Sequence, residues 1–152
     1  MTDTEKYYTP DLTEFNYGFE YEYSEDDENW QKKVLDEHEL YYVKRQLESG
    51  TIRVKHLDHD DIVGCGWKHD ANLDGEEIPC LISVRAHSKG YAIDMQDTPN
   101  KTAWLAYFFE DGFCIIERIV NCETGVEDML FRGTILNKSE LKFQMGRLGI
   151  KK

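Results

Sequence analysis

The densest group of reactive side chains in this 152-residue chain is His56-Leu57-Asp58-His59-Asp60-Asp61, followed by His69-Asp70. Imidazoles and carboxylates so close together can hold a divalent cation, and water activated by that cation would hydrolyse a phosphoester. His56, Asp58, His59, Asp60 and Asp61 are therefore the candidate metal ligands. The same residues have a plainer explanation. Asp58 suits a helix N-cap, with further acids in a first turn that the helix dipole favours. Ligand types without a ligand spacing are weak grounds for a metal site, and the capping explanation is preferred.

A second group could meet an anion. Arg53 and Lys55 alternate along one strand face, with Lys44 and Arg45 close in sequence. An arginine can fork onto two phosphate oxygens, so Arg53, Lys55 and Trp67 are the candidate lining of a nucleotide pocket. The alternative is a solvated strand face opposite Ile52 and Val54, ordinary for a sheet with one face on the core. No phosphate loop supports the sharper reading, because Gly64-Cys65-Gly66 lacks the further glycines and the lysine of that motif.

A third group is aromatic. Phe15, Tyr17, Phe19, Tyr21 and Tyr23 occupy every odd position of residues 14–23. Rings on an exposed strand can stack bases. Such platforms are bordered by basic residues, whereas Glu20, Glu22 and Glu25-Asp26-Asp27-Glu28 surround this one. Five rings left in water would forfeit about 25 cal/mol per Å² of apolar area. The stripe is therefore expected to be core. Nucleophilic catalysis has no motif behind it: the G-x-S-x-G elbow is absent from the sequence.

The four acids at 25–28 are expected at a loop tip, either merely solvated or steering a basic protein partner. They belong to an asymmetric charge distribution. Residues 1–40 hold 13 acidic and 3 basic side chains, and residues 41–152 hold 17 and 15, within a net charge of −12. That balance argues against a nucleic-acid partner, which needs basic surface to displace counterions. No apolar run approaches the length that crosses a bilayer, so no membrane partner is expected. The opening MTDTEKYYTP is polar and acidic, unlike a secretory signal. Cys65, Cys80, Cys114 and Cys122 form no C-x-x-C pair and read as free thiols of a reducing compartment.

The elements that would position these groups follow from periodicity. Alternation over 14–23 predicts a strand, and residues 30–35 its return in an N-terminal hairpin. Asp36 and Glu39 form a capping-box pattern before a helix near residues 37–49, with Leu40, Val43 and Leu47 on one face and Gly50 at its end. Residues 51–56 read as a strand and 58–64 as one helical turn. Residues 79–86, 90–95, 104–109, 113–120 and 129–136 read as strands, with Asp111-Gly112 and Glu123-Thr124-Gly125 as turns. Asn137-Lys138-Ser139-Glu140 opens a short C-terminal helix with Leu141 and Met145 inward. The fold class expected is α+β, one domain over 1–152 with a mostly antiparallel sheet and an irregular lead-in at 1–13. Phe15, Phe19 and Trp104 are expected in the core.

The stretches EFNYGFEYEY, IRVKHLDHDDIVGCGW and FRGTILNKSELKFQMGRLGI resemble, across almost the full chain, small phage and prophage proteins of gut Bacteroidetes. That family carries no assigned activity. The resemblance implies a viral accessory protein in the cytoplasm of a bacterial host, and it supplies no catalytic residue. The pairs His59-Asp60 and His69-Asp70 also resemble those of HD phosphohydrolases, but those enzymes draw ligands from several helices and this region reads as strand, turn and strand.

The function expected is thus non-enzymatic. The chain binds a host or phage protein, with counter-defence as the implied setting and Glu25, Asp26, Asp27 and Glu28 as the interaction residues. No cofactor is implied. The alternatives are a nucleotide or nucleotide-signal binder using Arg53, Lys55 and Trp67, and a metal-dependent phosphohydrolase using the 56–61 cluster.

Overall fold

Two antiparallel sheets and three α-helices make an α+β fold among the described residues of the computed structural model, which are 6–38, 40–49, 51–71, 74, 88–95, 101–120 and 126–150. Contacts divide the chain into two units. One comprises Met1–His56 with Asn137–Glu140, the other Leu57–Leu136 with Leu141–Lys152.

In the first unit, β1 (Tyr7–Tyr8), β4 (Ile52–Lys55), β2 (Glu20–Tyr23) and β3 (Gln31–Val34) lie in that order across a four-stranded sheet. The N-terminal hairpin pairs Glu20 with Val34 and Tyr23 with Gln31. Ile52 and Val54 alternate inward on β4 and join Phe19, Tyr21, Leu35 and Val43 in the core. The aromatic stripe is core at these positions, with Phe15 and Tyr23 half-buried against it.

The long strand expected over 14–23 is nevertheless only four residues. Asp11 caps a 3₁₀ turn at Leu12–Glu14, accepting from the Thr13 N–H while the Glu14 carboxylate accepts from the Asp11 N–H. Gly18 then turns with φ +86°, and the Phe19 N–H donates to the Asn16 carbonyl at 2.9 Å. A capping box and a left-handed glycine thus override period two, and they turn Tyr17 out to 69% exposure. Phe15 still reaches the core, its ring centroid 4.7 Å from that of Phe19.

Helix α1 (Leu40–Glu48) inserts Val43 fully and Leu47 partly, while Leu40 stays exposed. The Asp36 carboxylate accepts from the His38 N–H at 2.9 Å. Glu39 and Gly50, the expected partners at the two helix ends, lie outside the described residues.

In the second unit, β5 (Lys68–His69), β6 (Lys89–Asp94), β7 (Lys101–Tyr107), β8 (Phe113–Val120) and β9 (Val126–Thr134) form a sheet in sequence order. The β7–β8 turn closes with the Phe108 N–H on the Phe113 carbonyl and Gly112 at φ +76°. The positive φ favours glycine there, and a Cβ would also crowd the Leu136 side chain at 2.8 Å and the Ile135 carbonyl at 3.1 Å. Helix α2 (His59–Gly64) starts at Asp58, whose side chain accepts from the Asp61 N–H while Asp61 returns the bond to the Asp58 N–H. Ile62 and Trp67 enter a core with Tyr91, Leu105, Ile116 and Ile135. Helix α3 (Lys138–Arg147) contributes Leu141 and Met145 as expected. Trp104 is half-buried. The expected strand at 79–86, the turn at 123–125, Cys80 and Cys122 lie outside the described residues, and Cys65 and Cys114 are buried.

Candidate functional site

The acidic turn between β2 and β3 is built around one of its own carboxylates. Asp26 accepts from the Ser24 hydroxyl, the Glu28 and Asn29 backbone N–H groups, and the Asn29 side-chain amide, all within 2.9 Å. These donors, the Asn29 N–H first, hold the Asp26 carboxyl well below the usual carboxylate range. Ser24 is buried, and its own N–H reaches the Thr51 carbonyl of the first unit. Asp27 takes φ 61° as the chain reverses. Asp26 therefore holds the loop closed, while Glu25, Asp27 and Glu28 are exposed around it.

The same unit exposes large apolar side chains. Tyr41 is 81% exposed, and Tyr42, Val34, Leu40 and Tyr17 are each about half exposed or more. The Tyr41 and Tyr42 rings meet edge to face at 5.2 Å. Periodicity places Leu40 on the packed face and all five odd-position rings in the core, so this surface carries no signal in the sequence.

Arg53 is half-buried on β4 and its guanidinium carbon lies between two rings, 3.7 Å from the Tyr7 centroid and 4.0 Å from the Trp30 centroid. Its Nε–H donates to Glu22 at 3.3 Å. Two rings and one carboxylate thus engage the group within the first unit. Lys55 lies on the same strand, half-buried. Trp67 belongs to the second unit, where it is buried and its indole N–H donates to the Met145 sulfur at 3.3 Å.

The His/Asp cluster is dispersed by the fold. His56 packs at a tilt against the Tyr8 ring in the first unit, centroids 4.7 Å apart. Asp58 and Asp61 serve the α2 capping box. Asp60 sits exposed in the first helical turn. His59 instead turns to Tyr91, its Nδ1 lying 2.9 Å from the phenol oxygen. Across the β5–β6 ladder His69 stands opposite Tyr91, and its Nε2 lies 3.1 Å from both oxygens of Asp74. The rings of His59, His69 and Tyr91 form a triangle with centroids 5.5–5.8 Å apart. Asp74 also accepts from the Gly90 N–H at 2.7 Å and lies 3.7 Å from the Lys89 ammonium. Burial, with the Asp74 and Asp58 charges behind it, pushes the Tyr91 phenol up to about 12. No group of three or more His, Cys, Asp or Glu side chains suited to a metal occurs among the described residues.

No family model, curated protein or solved structure matches the chain. Its chemistry is accordingly argued from these side chains alone. Asp74 and Tyr91 carried no signal in the sequence, since each became relevant only through a strand pairing that brought His69 beside them. Among the described residues, no helix is long and apolar enough to cross a membrane.

Proposed function

We propose that the chain is a non-enzymatic binding protein whose first unit captures a basic segment of a host or phage protein in a bacterial cytoplasm, in the counter-defence setting that the sequence resemblance implies. The ordered 25–28 loop supports this reading. Asp26 spends its carboxylate on the loop itself, so Glu25, Asp27 and Glu28 are presented on backbone that is already fixed. Fixing an interaction loop in advance lowers the ordering cost of association, and a concentrated negative field raises the encounter rate with a basic surface. The exposed tyrosines of the same unit supply the residue type that dominates protein interfaces.

The nucleotide alternative draws less support from Arg53, whose guanidinium lies over two rings and is paired with Glu22. The hydrolase alternative draws less from Asp58 and Asp61, which serve a helix cap.

Affinity capture from infected and uninfected bacterial lysate, read by mass spectrometry, tests the proposal. The comparison is a variant in which Glu25, Asp27 and Glu28 become Ser and Asp26 is kept. A specific protein recovered by the parent, depleted with the variant and lost as salt rises, is the expected result. Equal recovery by both proteins at every salt concentration would remove the loop from the function.

A further inference from the structure

We propose that His59 and His69 form a two-imidazole site for a nitrogen-preferring late first-row cation such as Zn²⁺, Ni²⁺ or Cu²⁺. The sequence offered His59 only as part of the 56–61 run; the fold removes it from that run and sets it beside His69.

Three observations converge on the pair. The first is the tautomer of His69. Its Nε2 faces both oxygens of Asp74 at 3.1 Å, and a carboxylate accepts hydrogen bonds, so Nε2 carries the proton and Nδ1 keeps its lone pair. Metal-bound histidines are held in this way, by a carboxylate or other oxygen on the second ring nitrogen, which fixes the ring and raises its basicity. His59 reaches the matching arrangement in the tautomer whose Nδ1–H donates to the Tyr91 oxygen, 2.9 Å away, which keeps the Nε2 lone pair for a cation.

The second is spacing. A Zn–N bond of about 2.0–2.1 Å places the cation roughly 3.2 Å from each ring centroid. With that reach, centroids 5.8 Å apart subtend roughly 130° at the metal, within the range of an open, distorted tetrahedral site.

The third is the rigidity of the support. Tyr91 is fully buried on β6, and Asp74 is fixed by the Gly90 N–H and the Lys89 ammonium. The imidazoles themselves reach solvent, the His69 side chain being 35% exposed. Two protein ligands leave the remaining positions to water or to a donor from another molecule, so the site is open rather than structural.

Calorimetric titration of the untagged full-length protein with Zn²⁺ and with Ni²⁺ at neutral pH provides the test. One cation per chain should bind, His59→Gln or His69→Gln should abolish it, and Asp74→Asn should weaken it 10–100-fold. Binding should disappear by pH 5, because the ligating imidazoles must be neutral. Electron paramagnetic resonance of the unmutated protein with one equivalent of Cu²⁺ should report two coordinated imidazole nitrogens, a readout independent of how the variants fold. Absence of binding by all three cations, or binding that persists in both His→Gln variants, would overturn the assignment.

Discussion

The guanidinium carbon of Arg53 lies over two aromatic rings, 4.0 Å from the Trp30 centroid and 3.7 Å from the Tyr7 centroid. Tyr7 and Trp30 come from β1 and the entry to β3, so the cation joins segments on either side of its own strand. Each partly desolvated cation–π contact stabilises by about 0.5–2 kcal/mol. Arg53→Ala should therefore lower stability by roughly 1–3 kcal/mol in urea melts. Arg53→Lys should recover only part of that, because an ammonium lacks the planar stacking surface. Calorimetry with mononucleotides should show no heat of binding. A nucleotide signal that Arg53→Ala weakens would instead restore the pocket reading.

Asp26 should govern the order of its loop in a pH-dependent way. Its carboxyl is held low by the Asn29 and Glu28 N–H groups, so the ordering is present above the ordinary carboxylate range and is lost only as pH falls through the depressed folded value. Asp26→Ala should speed hydrogen exchange at the Glu28 and Asn29 amides, leaving the β7–β8 amides unaffected. Unchanged protection at residues 28 and 29 would show that the loop is ordered by something else.

Glu117 gives the opposite sign. It is buried on β8, and its Oε2 has no hydrogen-bond partner among the described residues. Burial raises its carboxyl above the ordinary value. The folded state therefore holds this proton more tightly than the unfolded chain does. Stability is greatest below the ordinary carboxylate range and declines as pH rises through the folded value. Glu117→Gln should stabilise the protein at pH 8, because the amide removes the negative charge that burial penalises. The gain should vanish near pH 4. A gain of equal size at both pH values would place its origin in packing rather than ionisation.

Short-range patterns proved readable wherever one physical term dominated. The Asp58 cap, the Ile52/Val54 alternation and the glycine of the β7–β8 turn follow from local chemistry, and each stands where the residues indicated. In the 14–23 stretch two signals compete. Its period-two pattern was long, but Asp11/Glu14 capping and Gly18 set the backbone first, leaving four residues of strand. The site residues were hardest to read. His59, Asp74 and Tyr91 lie far apart in sequence, and they meet only because the β5–β6 register sets His69 opposite Tyr91. No local spacing encodes that register.

The division of helix α3 bears on how the polypeptide is made. Asn137 donates its side-chain amide to the Tyr8 phenol at 2.9 Å, and the Ser139 hydroxyl accepts from the Glu20 N–H at 2.9 Å. Both bonds complete the unit that contains residues 1–56. During synthesis at about 5–20 residues per second, residue 139 follows residue 56 by roughly 4–17 s. Throughout that interval the nascent N-terminal sheet waits on the ribosome with the Glu20 amide and the Tyr8 hydroxyl still seeking these partners. Vectorial emergence thus closes the first unit only after residues 57–136 of the second have been made, and translation halted before codon 137 would leave a chain lacking these two contacts.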